Sequence, residues 1–373
     1  MNGTPTSTFY KRNQMGLYSN NWSQRTLKNE AFIYERMDPY KRITLVHAAF
    51  AFAVVLADPV FSLFLLGKGF DAVTLSLLFS AFSLSAILTA PLIGGISDTW
   101  GRRPVILLGI LFTMLAYVLY YWAVDPFTLF LGRMLEGIGY SAVVLVSIAK
   151  LEDLVAQQKN ANKSNVHARI GSSLSVGKLG HVLGPLIGGV IAAYYGLGSP
   201  FLAAVVGLGI VGMWYFFQKH NYHPLPPFRK LTWNPIPLWR EYLKVKPLRG
   251  LLALVMPHQF SIAVVFAFLP LFLVEHIHLS IEQVGIILFV KEIPQLMQQL
   301  AGKLTDKWGS KKVSILGTTL SGIGMIGFAF ASTFEVVLIT AFVYGLGASI
   351  LGIGTLAMLS GIGEKQKREA TYL

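Results

Sequence analysis

From Ile43 onward, long apolar runs alternate with short polar stretches. Each run is long enough to cross a hydrocarbon core of about 30 Å as a helix, which takes ~20 residues at 1.5 Å rise. The runs fall at roughly 43–66, 73–97, 104–124, 127–149, 169–194, 200–218, 249–274, 281–301, 312–332 and 335–361. This pattern predicts an all-α transmembrane protein with about ten spans. The polar stretches divide the chain into a tail over 1–42, a six-helix bundle over 43–218, a Pro-rich linker over 219–248 ("HPLPPF", "NPIP") and four further spans over 249–373.

Composition narrows this further. Hydrophobic residues make up 54% of the chain and charged residues 13%, against roughly 25% charged in soluble domains. The absence of cysteine excludes a disulfide framework, thiolate catalysis and a Cys-based metal site. The net charge of +13 lies in alternate loops, with Lys41 and Arg42, Arg102 and Arg103, Lys150 and Lys159, and Lys311 and Lys312 on one side. The other loops hold essentially only Lys68. Such asymmetry is the signature of cytoplasmic loops rather than of nucleic-acid binding. It places the N-terminus on the cytoplasmic side of a plasma or inner membrane.

The stretch "GGISDTWGRRPVILLG" at 94–109 returns as "GKLTDKWGSKKVSILG" at 302–317. Asp306 follows Asp98 by 208 residues (306 − 98), and the same offset relates Gly94 to Gly302, Trp100 to Trp308, Gly101 to Gly309, Gly109 to Gly317, Gly137 to Gly345, Gly139 to Gly347 and Ser141 to Ser349. Glycine-rich apolar sequence aligns easily with itself, but the polar matches point to duplication, as in many transporters. At this offset the counterpart of the fifth span starts near 377 (169 + 208), beyond Leu373. The expectation is a twelve-span protein lacking its last two spans, with a natural ten-span protein as the alternative.

These motifs resemble those of the major facilitator superfamily. Residues 94–103 are similar to its G-x-x-x-D-(R/K)-x-G-R-(R/K) signature, with Thr99 at a usually basic position. The second copy has Lys307 there but Ser310 at the first arginine. "RMLEGIG" resembles a fourth-span element, with Arg133 and Gly137 matching and Glu136 where glutamine is usual. The fifth span reads Gly171-x8-Gly180-x3-Gly184-Pro185-x2-Gly188-Gly189, similar to the proton-coupled drug antiporter branch. The resemblance implies two pseudo-symmetric six-helix bundles that alternate access to a midplane site. It also implies a gate built from Gly94, Asp98, Gly101, Arg102 and Arg103 and from Gly302, Asp306, Gly309, Lys311 and Lys312, in which Asp98 latches onto an eleventh span. In the fifth span, Gly177, Gly180, Gly184 and Gly188 share one face that allows close helix packing. Pro185 favours a kink.

Charges inside spans default to functional hypotheses. Asp58 and Arg133 each lie ~10–12 Å from the outer surface at 1.5 Å per residue, within reach of one another. Glu136 is a turn deeper. Asp58 and Glu136 are candidate proton carriers with Arg133 as modulator; the alternative is a fixed Asp58–Arg133 pair. Candidate cavity residues are Lys178, His181, His258 and Gln259, with a polar stripe of Lys291, Gln295, Gln298 and Gln299 and Glu292 beside it. The stripe's spacing of three and four puts most of it on one helix face. Aromatic residues such as Tyr117, Tyr120 and Tyr140 are read as packing.

No phosphate-cradling loop, metal cluster or catalytic constellation is present in the sequence, so the chain is not read as an enzyme. The reading is a monomeric secondary transporter whose partners are a small molecule and the lipid bilayer. It needs no cofactor, and a proton gradient supplies the energy. The leading activity is proton-coupled efflux of drug-like amphipathic molecules. The alternatives are a symporter or facilitator for a small polar solute and a non-transporting scaffold or receptor.

Overall fold

A computed structural model describes residues 38–156, 163–218, 244 and 246–371. The tail before Asp38 and the linker over 219–243 lie outside the described residues. The described residues from Ile43 onward form one compact unit.

All regular structure among the described residues is helical. The helices are α1 (Pro39–Val55), α2 (Phe61–Gly67), α3 (Ala72–Trp100), α4 (Arg102–Trp122), α5 (Pro126–Ala156), α6 (Lys163–Tyr195), α7 (Ser199–Phe217), α8 (Lys246–Glu275), α9 (Ile281–Glu292), α10 (Gln298–Trp308), α11 (Ser310–Phe330) and α12 (Phe334–Thr371), with a 3-10 turn at Ile293–Met297 between α9 and α10. Eight of them are long and apolar enough to cross a membrane. The other two expected spans are the first and the eighth, and both are broken.

The breaks have local causes. Proline lacks an N–H and biases the preceding residue away from helix. Pro59 follows Asp58, and the chain turns tightly there, with Val60 N donating to Ala57 O at 3.1 Å and Phe61 N to the same oxygen at 2.9 Å. Pro294 opens the 3-10 turn after Lys291 and Glu292. Pro185, by contrast, sits inside a continuous α6.

Helix starts follow the sequence. Asp71 caps α3 by accepting from Thr74 N at 2.8 Å, and its hydrogen bonds to Thr74 hold its carboxyl below the ordinary aspartate range. Ser280 and Gln283 form a capping box on α9. Outward faces are apolar: α7 presents Val206, Ile210 and Met213, all exposed and four and three residues apart. This face suits lipid.

The duplication is structural as well as sequential. α3 ends at Trp100 and α10 at Trp308; α4 spans 102–122 and α11 310–330; α5 starts at 126 and α12 at 334. Each border moves by 208 residues. Gly101 and Gly309 take positive φ values of 96° and 84°, a conformation that glycine adopts without steric penalty. A Cβ on Gly139 would lie 2.6 Å from Gly109 O, and one on Gly347 would lie 2.7 Å from Gly317 O. The same backbone crossing therefore occurs twice. Ser141 Oγ donates to Ala86 O at 3.3 Å, and Ser349 Oγ to Pro294 O at 2.9 Å, again at matching positions.

Within the halves, α4 packs on α5 and α7, α3 on α5, and α11 on α12. Between them, α6 packs on α9 and α2 on α8. By chain order both contacts lie toward the end that carries Lys68. There, Ser62 Oγ donates to Ala267 O at 2.5 Å, and a Cβ on Gly189 would sit 2.8 Å from Gly285 Cα. The halves are thus closed against each other at the Lys68 end.

Candidate functional site

The buried charges sort into pairs. Arg133 Nη1 lies 2.7 Å from Glu136 Oε2, one helical turn away on α5, and both side chains are buried. The Tyr120 hydroxyl donates to the same carboxylate oxygen at 2.7 Å. The guanidinium also stacks over the rings of Phe61 at 3.7 Å and Phe79 at 4.6 Å. Among the described residues, Arg133 therefore makes its ion pair with Glu136 and not with Asp58. The break after Asp58 starts α2 at Phe61, which puts an aromatic ring, rather than the carboxylate, against the guanidinium. Tyr120, expected only to pack, is a hydrogen-bond donor to the pair.

Lys291 and Glu292 form the second pair, with Nζ 2.6 Å from Oε1. Gln295 donates to the other oxygen of Glu292, and the Lys291 ammonium sits 4.6 Å from the Phe266 ring.

Two cavities separate the remaining candidates. The smaller, about 20 Å³, is lined by Asp58, His181, Pro185, Phe266, Lys291 and Glu292 among others. A polar space of this size admits about one water. The larger, about 250 Å³, is lined by Lys178, His258, Gln259, Gln295, Gln298, Ser349 and Thr355 among others. The cavity residues expected from sequence thus divide into two neighbouring groups. Lys178 and His181 share an α6 face but line different cavities. The side chain of Gln299 lies outside the described residues.

Sequence reasoning missed several contributors. Ser349 and Thr355 line the larger cavity. His47 on α1 packs on Gly177, where a Cβ would lie 2.7 Å from its ring, and its Nδ1 is buried without a hydrogen-bond partner. The glycine repeat of α6 was the available signal for His47, since such a stripe demands a facing helix.

The glycine face of α6 seats α1. A Cβ on Gly180 would meet Ala48 O at 2.5 Å and Phe52 N at 2.7 Å, and Gly184 and Gly188 are occluded by Val55 and Leu56. Gly189 faces α9 instead. The surroundings of Gly171 lie outside the described residues.

At the opposite end, the turn at Gly101 carries a charge network. Arg102 pairs with Asp98 at 2.5 Å and with Asp153 at 3.0 Å, and donates to Ser97 Oγ at 2.6 Å. Arg103 donates to Phe216 O and stacks on the Phe216 ring. The arginines therefore tie the ends of α3, α5 and α7 together. Asp153, at the far end of α5, was not foreseen. The second copy repeats the backbone but not the network: among the described residues Asp306, Lys311 and Lys312 are exposed and form no ion pair, as expected with Ser310 in place of arginine. A Cβ at Gly94 or Gly302 would meet open space.

Comparison with known proteins accords with this architecture. The profile of the Major Facilitator Superfamily matches residues 43–293 and again 251–372. The class C tetracycline resistance protein of Escherichia coli is 27% identical over 259 residues, covering 68% of this chain and 63% of that protein. The chain thus matches somewhat less than two thirds of that relative's length. A multi-drug resistance efflux pump PmrA homolog of Lactococcus lactis is 29% identical over 150 residues, covering 39% of this chain and 35% of that one. Among solved structures, the nucleoside transporter NupG superposes with a TM-score of 0.68 at 13% identity, over 85% of this chain and 81% of that chain.

Proposed function

The chain belongs to the Major Facilitator Superfamily, and on that premise we propose that it is a secondary active transporter exporting amphipathic, drug-like molecules in exchange for protons. The similarity to tetracycline and multi-drug efflux proteins supports the substrate class. The site supports the coupling. Of three acids well inside the spans, Glu136 and Glu292 are buried and each ion-paired. Asp58 forms no ion pair among the described residues and lines the small central cavity. That contrast carries the reading: a carboxyl with no fixed counter-charge is the one whose proton can be exchanged. Protonation removes the charge that would hold a cationic group, so proton and substrate compete. By chain order the larger cavity lies toward the end that carries the charge network at Gly101, which by charge bias is cytoplasmic.

The test uses everted vesicles and a fluorescent cationic substrate. Asp58→Asn should abolish uptake driven by a pH gradient and weaken binding of the cationic substrate. Retention of gradient-driven uptake in Asp58→Asn would overturn the assignment. The amide and hydroxyl lining of the larger cavity favours a second reading, symport or facilitated passage of a small polar solute. The two separate on the direction in which protons move when substrate is added.

A further inference from the structure

We propose that the molecule carried is a zwitterion, with its anionic group held at Lys178 and its cationic group at Asp58. The inference rests on the transporter reading and goes beyond it in fixing the substrate's charge. Six charged side chains lie within the spans and away from their ends: Asp58, Glu136 and Glu292, and Arg133, Lys178 and Lys291. Two pairs close on themselves, Arg133 with Glu136 at 2.7 Å and Lys291 with Glu292 at 2.6 Å. Asp58 and Lys178 remain, opposite in sign. Neither is in an ion pair among the described residues, and each lines its own cavity.

The cavities adjoin. His181 lines the small one and Lys178 the large one, one turn apart on α6; across the break in the eighth span, Lys291 lines the small one and Gln295 the large one. Side chains one helical turn apart are about 5–6 Å apart at Cβ. An uncompensated charge away from water is costly. One ligand bearing both signs compensates both residues at once, whereas a simple cation or anion leaves one of them bare.

A separate observation points to an anionic group on the Lys178 side. His258 lines the same cavity, is 9% exposed, and its Nδ1 is buried without a hydrogen-bond partner. Its ring is fixed by stacking on Tyr344, with centroids 6.5 Å apart. With the proton on Nδ1, an anionic ligand oxygen that reaches it satisfies this donor. No residue lining that cavity is acidic.

The test compares two xanthene dyes that differ only in the carboxyl: rhodamine 110, which carries a carboxylate and a cation, and rhodamine 123, its methyl ester. Binding to the full chain in nanodiscs is read by fluorescence anisotropy against empty nanodiscs. We expect rhodamine 110 to bind at least about tenfold more tightly, the preference to vanish in Lys178→Gln, and Lys178→Arg to keep it. Lys178 is half-buried and forms no ion pair among the described residues, so Lys178→Gln breaks no salt bridge and is a fair probe. A wild type that shows no preference for rhodamine 110, or a preference that survives Lys178→Gln, overturns the proposal. Flux in proteoliposomes, measured in parallel, separates the two readings. Transport of rhodamine 123 with exclusion of rhodamine 110 removes the zwitterion and leaves the transporter. Lys178-dependent binding of rhodamine 110 without flux of either dye leaves the zwitterion site and removes the transporter.

Discussion

Arg133 and Glu136 show how much a single side chain's surroundings decide. Both were legible in the sequence as charges inside a span, but the partner was not. Depth along the helices put Asp58 within reach of Arg133, whereas the Pro59 break turns Phe61 toward the guanidinium. Tyr120 was illegible for another reason, since an aromatic in a span is most often packing and only its hydroxyl geometry reveals the bond to Glu136. Breaking a buried ion pair by removing one partner costs about 3–5 kcal/mol, while replacing both with apolar groups is often close to neutral. Glu136→Leu should therefore lower the thermal unfolding midpoint of the purified protein sharply. Arg133→Leu combined with Glu136→Leu should restore most of the loss. A double variant as damaged as the single would show that the pair is not what holds this region. The contrast also explains why Asp58, and not Glu136, is assigned the exchangeable proton.

Among the elements, α6 bears on both halves of the molecule. One face is cut to glycine where α1 lies, and Gly189 next to it meets α9. That small-residue face was readable from spacing alone. Which helix filled it was not, because periodicity identifies a face without naming its neighbour. Added methylenes in a well-packed interior cost about 1–3 kcal/mol, and backbone atoms cannot move aside as a side chain can. Gly180→Ala places a methyl 2.5 Å from Ala48 O, while Gly207→Ala on α7 meets only Ala53 Cβ at 3.6 Å. Gly180→Ala should therefore lose stability of this order and slow transport. Gly207→Ala should resemble the wild type in both unfolding and flux assays. Equal behaviour of the two would argue that close α1–α6 contact is dispensable.

For the whole molecule, the span count, the duplication and the place of the charged turn were all legible, because hydropathy and a fixed offset are properties of the chain itself. The breaks in the first and eighth spans were hidden, since window averages pass over one proline. The cross-half contacts were hidden too: nothing in either segment announces that Ser62 will bond to Ala267. That contact closes the Lys68 end, and alternating access requires it to open. The chain has no cysteine, so Ser62→Cys with Ala267→Cys introduces a unique pair. A short bis-methanethiosulfonate crosslinker, which forms a disulfide to each cysteine with loss of a sulfinate at each end, should stop transport, and reduction of the two disulfides should restore it. Undiminished flux with the bridge formed would exclude opening at this end.

The repeated glycine crossings, Gly109 with Gly139 and Gly317 with Gly347, mean that the chain carries its own internal control. The same backbone geometry is built twice, once beside an ion-paired arginine and once beside Tyr344 at the position matching Glu136. Whatever a substitution does equally at both crossings belongs to the architecture inherited by duplication. Whatever it does at only one belongs to the chemistry that each half acquired after the copies diverged.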